Sequence, residues 1–129
     1  MPFIIRSSHS SLRLEMHRGH KNFVVAKVIG TNIQAETLVC TYLSQGIGAF
    51  FGDLAHHWQG WPGRKEWFSL EEELKLSATC DRLGHIFLLV NLKNGTPPVW
   101  NLQTELILEA GQLEDLAAQA CAFEVIAFF

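Results

Sequence analysis

Six histidines are the first residues in this 129-residue chain that could do chemistry, because imidazole titrates near neutral pH and is the commonest metal ligand. His56 and His57 are adjacent in a helical pattern and project about 100° apart, so only one can share a face with Asp53. His17 and His20 flank a turn, and His9 lies in a Ser-rich loop, where exposed histidines are ordinary. No His-x-x-x-His or Cys-x-x-Cys spacing occurs, so neither a metal site nor a cofactor is expected. His85 follows Asp81-Arg-Leu-Gly84 at a hairpin. There it could act as a general base oriented by Asp81, or simply bond the turn. Glu71, Glu72 and Glu73 form a carboxylate run, yet strand alternation sends Glu72 to the opposite face, so a paired-carboxylate site is not indicated. No Gly-rich phosphate loop or Gly-x-Ser-x-Gly elbow is present, and an enzyme is not expected.

The second chemical feature is the stretch Trp58-Gln-Gly-Trp61-Pro-Gly-Arg-Lys-Glu-Trp67, which holds three of the four tryptophans. As a ligand loop it would use stacking and cation–π contacts, worth about 0.5 to 2 kcal/mol each. As a crossover lying against the open end of a sheet it would use Trp58, Trp61 and Trp67 as anchors, because large aromatics bury the most area; this reading is favoured.

The elements that must position these residues are written twice. Alternating runs at residues 12–17, 22–29 and 33–40 lead into an amphipathic helix at residues 43–58, and runs at residues 72–79, 85–92 and 100–109 lead into a helix at residues 111–128. The expectation is one α+β domain: two βββα units, with an internal repeat over residues 11–60 and 70–128, forming an antiparallel sheet of about six strands, curved or split into two three-stranded halves, with both helices on one face. Leu12, Leu14 and Met16 oppose Arg13, Glu15 and His17, while Leu74, Leu76 and Ala78 oppose Glu73, Lys75 and Ser77, the mark of strands with a single buried face. Turn residues at 30–32, 81–84 and 94–98 fall where hairpins need them.

Helical stripes run through Leu43, Ile47, Phe50, Phe51, Leu54 and Trp58, and through Leu113, Leu116, Ala117, Ala120 and Phe123. Gly46, Gly48 and Gly52 cost the first helix about 1 kcal/mol each relative to Ala, so either its first turn is irregular or its backbone comes unusually close to the sheet. The two central runs also place Phe23, Val25, Ile29, Phe87 and Leu89 on the face away from the helices. That apolar strip is either a partner or homodimer surface, or is covered by Phe3-Ile4-Ile5 or by a twist of the sheet.

Composition narrows the function classes. With 48% hydrophobic and 18% charged residues the chain is globular. A net charge of −3 leaves no excess positive charge for phosphates, so nucleic acid is not expected. Cys40, Cys80 and Cys121 are odd in number and set in apolar patterns, which suits buried thiols in a reducing cytoplasm. No run is long enough to span a membrane or serve as a signal peptide.

Trp58-x-Gly-Trp61-x-Gly-x-Lys65-x-Trp67-x-Ser-Leu-Glu71, then Leu74-x-Leu76-x-Ala-Thr79-x-Asp81-x-x-Gly84-His85, then Glu109-Ala-Gly-Gln-Leu113-Glu-x-Leu116-Ala resembles an uncharacterised bacterial family of small proteins. The resemblance covers residues 41–128 and implies no activity. The βββα-βββα order is similar to that of small immunity proteins that neutralise polymorphic toxins, which are compact, often acidic, cytoplasmic and non-catalytic. Two functions follow as expectations. The first is a protein-binding module, with toxin immunity as its sharpest form and with Trp61, Arg64, Glu71 and Glu73 as contacts. The second is a small-ligand protein or enzyme with a pocket near His57, Trp61 and His85. Homodimerisation through the apolar strip is compatible with either.

Overall fold

The computed structural model describes residues 1–127, with side chains to residue 125; Phe128, where the second helix was expected to end, lies outside the described residues. The chain runs β1 (Phe3–Arg6), β2 (Arg13–Arg18), β3 (Phe23–Ile29), β4 (Gln34–Cys40), α1 (Ile47–His56), β5 (Lys65–Phe68), β6 (Leu74–Cys80), β7 (His85–Asn94), β8 (Trp100–Glu109), a 3-10 turn at Ala110–Gln112 and α2 (Leu113–Ala127). The α+β class and the duplicated order of elements hold. The single sheet of about six strands does not: the split alternative is the one observed, with four strands in each antiparallel sheet and not three, ordered β1-β2-β3-β4 and β5-β6-β7-β8. Each expected trio gains a leading strand of four residues, β1 and β5. Strands so short show too few alternations to be read by period.

The expected in/out pattern is otherwise observed. Leu14, Met16, Val24, Ala26, Val28, Leu74, Leu76, Ala78, Ile86, Leu88, Val90 and Leu92 are buried in one core to which both sheets and both helices contribute. Phe23, Val25, Ile29, Phe87 and Leu89 sit on the outer faces, partly exposed. Phe3-Ile4-Ile5 does not cover them. It pairs with β2, opposite Met16, Glu15 and Leu14, and sends Phe3 and Ile5 into the core.

Helix α1 is shorter than its apolar stripe. Leu43 takes a left-handed conformation with φ 58° and is 76% exposed, and Trp58 is 57% exposed, so the buried stripe is Ile47, Phe50, Phe51 and Leu54. The glycines do mark a close approach, but to the other helix and not to a sheet. A Cβ on Gly48 would lie 2.8 Å from Cys121 Sγ and 3.1 Å from Cys121 Cα, and one on Gly46 would run into the Glu124 carboxylate. The helices pack closely on each other, and the strand that α1 chiefly touches is β5, whereas α2 chiefly touches β1 and β2. Each helix therefore lies against strands of the other half. Phe3 joins them, its ring centroid 5.3 Å from Phe51 on α1 and 6.3 Å from Phe123 on α2.

The two sheets are stitched at two places. At one, the Ile107 N–H donates to Ser7 Oγ (3.1 Å) and the Ser8 N–H to the Ile107 carbonyl (2.7 Å). At the other, Glu73 accepts from the Cys40 N–H (3.1 Å) and from Ser69 Oγ (2.7 Å), while Thr37 Oγ1 donates to Asn94 Oδ1 (2.7 Å). The three cysteines are free thiols; Cys40 and Cys80 are half-buried, but Cys121, expected to be buried, is exposed.

Candidate functional site

The anchoring role of the Trp-rich crossover is visible in its bonds. Trp67 is fully buried and donates Nε1–H to the Gln45 carbonyl at 2.6 Å; Trp61, 9% exposed, donates Nε1–H to the Ala78 carbonyl at 3.1 Å. Trp58 is the exception, since it falls beyond the end of α1. Trp61 is thus part of the core, as the structural alternative held. Arg64 is exposed beside it, in a shallow depression of about 160 Å³ on the outer face of the second sheet with Glu66, Lys75, Ser77, Leu89 and Asn91.

His57, Trp61 and His85 line no common cavity among those described; a cavity of about 370 Å³ between the end of α1 and the start of α2 is lined by Ala55, Trp58, Leu113 and Glu114, among others, instead. Trp61 faces the core. His57 sits just past α1, with Nδ1 3.2 Å from Asp53 Oδ1, so it is the histidine that shares a face with Asp53. Lys65 Nζ is 2.9 Å from the other oxygen of Asp53; its hydrogen bond, ahead of the charges of Lys65 and His57, lowers the Asp53 pKa. His85 lies on the outer face of β7, directly opposite Glu109 of β8.

Glu71 and Glu73 do converge on a cavity. The strand expected from Glu72 starts at Leu74, and residues 69–73 form a turn in which Glu72 takes φ 57°. A groove of about 710 Å³ opens there, lined by Val25, Glu36 and Leu38 from the first sheet, by Glu71 and Glu73 from the turn and by Lys93 from β7, among others. Its first wall is the outer edge of β4, which pairs only with β3. The Thr41 N–H bonds back to the Asn22 carbonyl while the Cys40 N–H points away to Glu73. Antiparallel alternation then turns the backbone groups of Leu38 and Glu36 to the groove. Leu38 is 56% exposed there. Sequence reading missed this edge, because period-two patterns tell which face is buried and not which strand lies outermost.

A second cluster surrounds His85. Asp81 accepts from the Leu83 and His85 N–H groups at 2.8 and 3.0 Å through Oδ1, and its Oδ2 is 2.9 Å from His85 Nδ1. Partial desolvation, which would raise the Asp81 pKa, is outweighed by these hydrogen bonds, and the value is lowered. The same bond to Asp81 raises the His85 pKa against partial desolvation, with Glu109 adding to the rise. His9, which the sequence placed in an ordinary loop, arrives from the β1–β2 connection with its ring 5.8 Å from that of His85. No local spacing links residues 9, 85 and 109, so no sequence signal could have joined them.

A family model matches the chain over residues 4–124, and the family it describes is one of unknown function. No curated protein matches the chain.

Proposed function

We propose that this chain, which belongs to DUF6228, a family of unknown function, is a non-enzymatic protein-binding module that takes an extended, basic segment of a partner protein along the free edge of β4. The observation that carries this reading is the unpaired edge itself, with the Glu36 and Leu38 backbone turned into a 710 Å³ groove. An added strand gains main-chain hydrogen bonds along such an edge, and side-chain contacts on the groove walls select its sequence. Glu36, Glu71 and Glu73 outnumber Lys93 there, which favours a basic occupant. Arg64 lies on a different surface and has no part in this site. No helix among the described residues is long and apolar enough to cross a membrane, and the reading places the protein in the cytoplasm. In its sharpest form the partner is a toxin that the chain neutralises.

The experiment is affinity capture from the host lysate with the wild-type chain, Leu38→Pro and a control, Leu83→Ser, at an exposed turn remote from the groove. Proline at an outward-facing edge position leaves the β3–β4 ladder bonded but blocks a further strand. A protein held by wild type and Leu83→Ser and lost with Leu38→Pro supports the reading, and toxicity of that protein when expressed alone supports the immunity form. Equal recovery by all three, or recovery of the bait alone, overturns it. Light scattering identifies the remaining occupant, a second copy of this chain, through a dimer that Leu38→Pro abolishes.

A further inference from the structure

We infer that His9, His85 and Glu109 form a binding site for a divalent transition-metal ion of the zinc class. His85 and Glu109 are cross-strand partners at the first position of β7 and the last of β8, so the register of the hairpin brings them together on one face. His9 is delivered by the β1–β2 loop, which the Ser7 and Ser8 bonds to Ile107 fix against the same end of β8. One ligand atom from each of the three residues lies within 4.8 Å of the other two.

The orientation of the rings distinguishes this cluster from an ordinary surface ion pair. His85 has Nδ1 held by Asp81 at 2.9 Å, and His9 has Nδ1 held by Ser8 Oγ at 2.8 Å. Each ring presents Nε2 to a different oxygen of the same carboxylate: His85 to Glu109 Oε2 at 3.7 Å, and His9 to Oε1 at 3.8 Å. Those separations are too long for hydrogen bonds. They suit atoms arranged around a common centre, because ligands at about 2.0 to 2.2 Å from one zinc ion stand roughly 3.2 to 3.6 Å apart. An Asp–His pair on the outer side of a ligand is the support that fixes the tautomer and raises the basicity of metal-binding histidines, and Asp81 is itself fixed by two backbone N–H groups of its turn. Two imidazoles and one carboxylate favour Zn²⁺, Fe²⁺, Co²⁺ or Ni²⁺ over Mg²⁺ or Ca²⁺. The half-exposed side chains give the ion an entry path and leave a coordination position open to solvent. This site lies on the outer face of the β7–β8 hairpin and is independent of the β4 edge.

The test is isothermal titration of the chelator-treated full-length chain with Zn²⁺ alone, repeated with Co²⁺ so that ligand-field absorption reports the donor set. The expected result is one ion per chain, bound at least 100-fold more weakly by His9→Ala, which alters only an exposed loop residue, and about 10- to 100-fold more weakly by Asp81→Asn through the orientation of His85. Glu109→Gln, which keeps the shape of the side chain, should weaken binding as much as His9→Ala. No heat and no cobalt spectrum at micromolar wild-type protein would overturn the assignment. So would wild-type affinity in both His9→Ala and Glu109→Gln, or a thiolate-type cobalt spectrum pointing to Cys121.

Discussion

The carboxylate of Glu124, late in α2, accepts a hydrogen bond from the Gly48 N–H in the first turn of α1 at 3.1 Å. The residue that caps the start of α1 is Gly46, which offers no side chain to the helix's N-terminal N–H groups. An acid from another helix takes that place, where the helix dipole favours negative charge. Gly46 and Gly48 leave the room that this requires.

The two interior glycines of α1 should therefore answer oppositely to alanine. Gly52 has nothing within 4 Å of an added Cβ, and Gly52→Ala should stabilise by about 0.5 to 1 kcal/mol through lost unfolded-state entropy. Gly48→Ala would press on Cys121 and Glu124 and should cost about 1 to 3 kcal/mol. Urea denaturation of the pair checks the contrast; a gain at both positions would show that the helices have room to part.

Trp61 and Trp58 differ by three positions and should differ widely in cost. Trp61→Ala empties a buried site and should lose about 3 to 5 kcal/mol, whereas Trp58→Ala, at an exposed residue, should stay within about 0.5 kcal/mol. Trp61→Phe isolates the bond to the Ala78 carbonyl and should cost about 0.5 to 1.5 kcal/mol more than the lost area alone. Thermal melts of the three variants settle the order.

Glu73 ties the first sheet to the turn before β6. Glu73→Ala leaves the Cys40 N–H without its acceptor and should cost about 1 to 3 kcal/mol. Amide exchange at Cys40 should rise more than at Val39, which bonds to β3. Equal acceleration at both would mean that the whole of β4 loosens.

Acid should remove a contribution centred on Glu15. Its pKa is lowered, first by the hydrogen bond from Arg13 and then by that from His17. The folded value lies below the unfolded one, so the stabilisation is complete above the unfolded value near 4.5 and fades as pH falls through the folded value. At pH 7 Glu15→Gln should be less stable by about 0.5 to 1 kcal/mol, and the gap should close in acid. A gap that persists well below pH 4.5 would assign the loss to packing.

Legibility divides along physical lines. Alternation in β2, β6 and β7 and the stripes of both helices gave the buried residues almost position by position, because burial acts on each residue where it stands. The boundary errors fell where local geometry overrides hydropathy, as at Leu43, whose left-handed turn ends the stripe early, and at Glu72, which turns the acidic run into a bend. The free edge of β4 and the meeting of His9 with His85 and Glu109 depend on which distant segments come together. Glu71 and Glu73, singled out as partner contacts, precede β6 and line the groove through the turn.

The placement of α1 against β5 and of α2 against β1 and β2 bears on how the chain can reach this state. Each half relies on the other for part of its helix cover, so a fragment ending after α1 should be less structured alone and should gain structure when mixed with the rest. Every strand pairing joins neighbours in sequence, whereas closing the core requires helix contacts that cross between the halves, and those longer-range contacts slow folding. The transition should be a single all-or-none event, with no half-structured species at equilibrium.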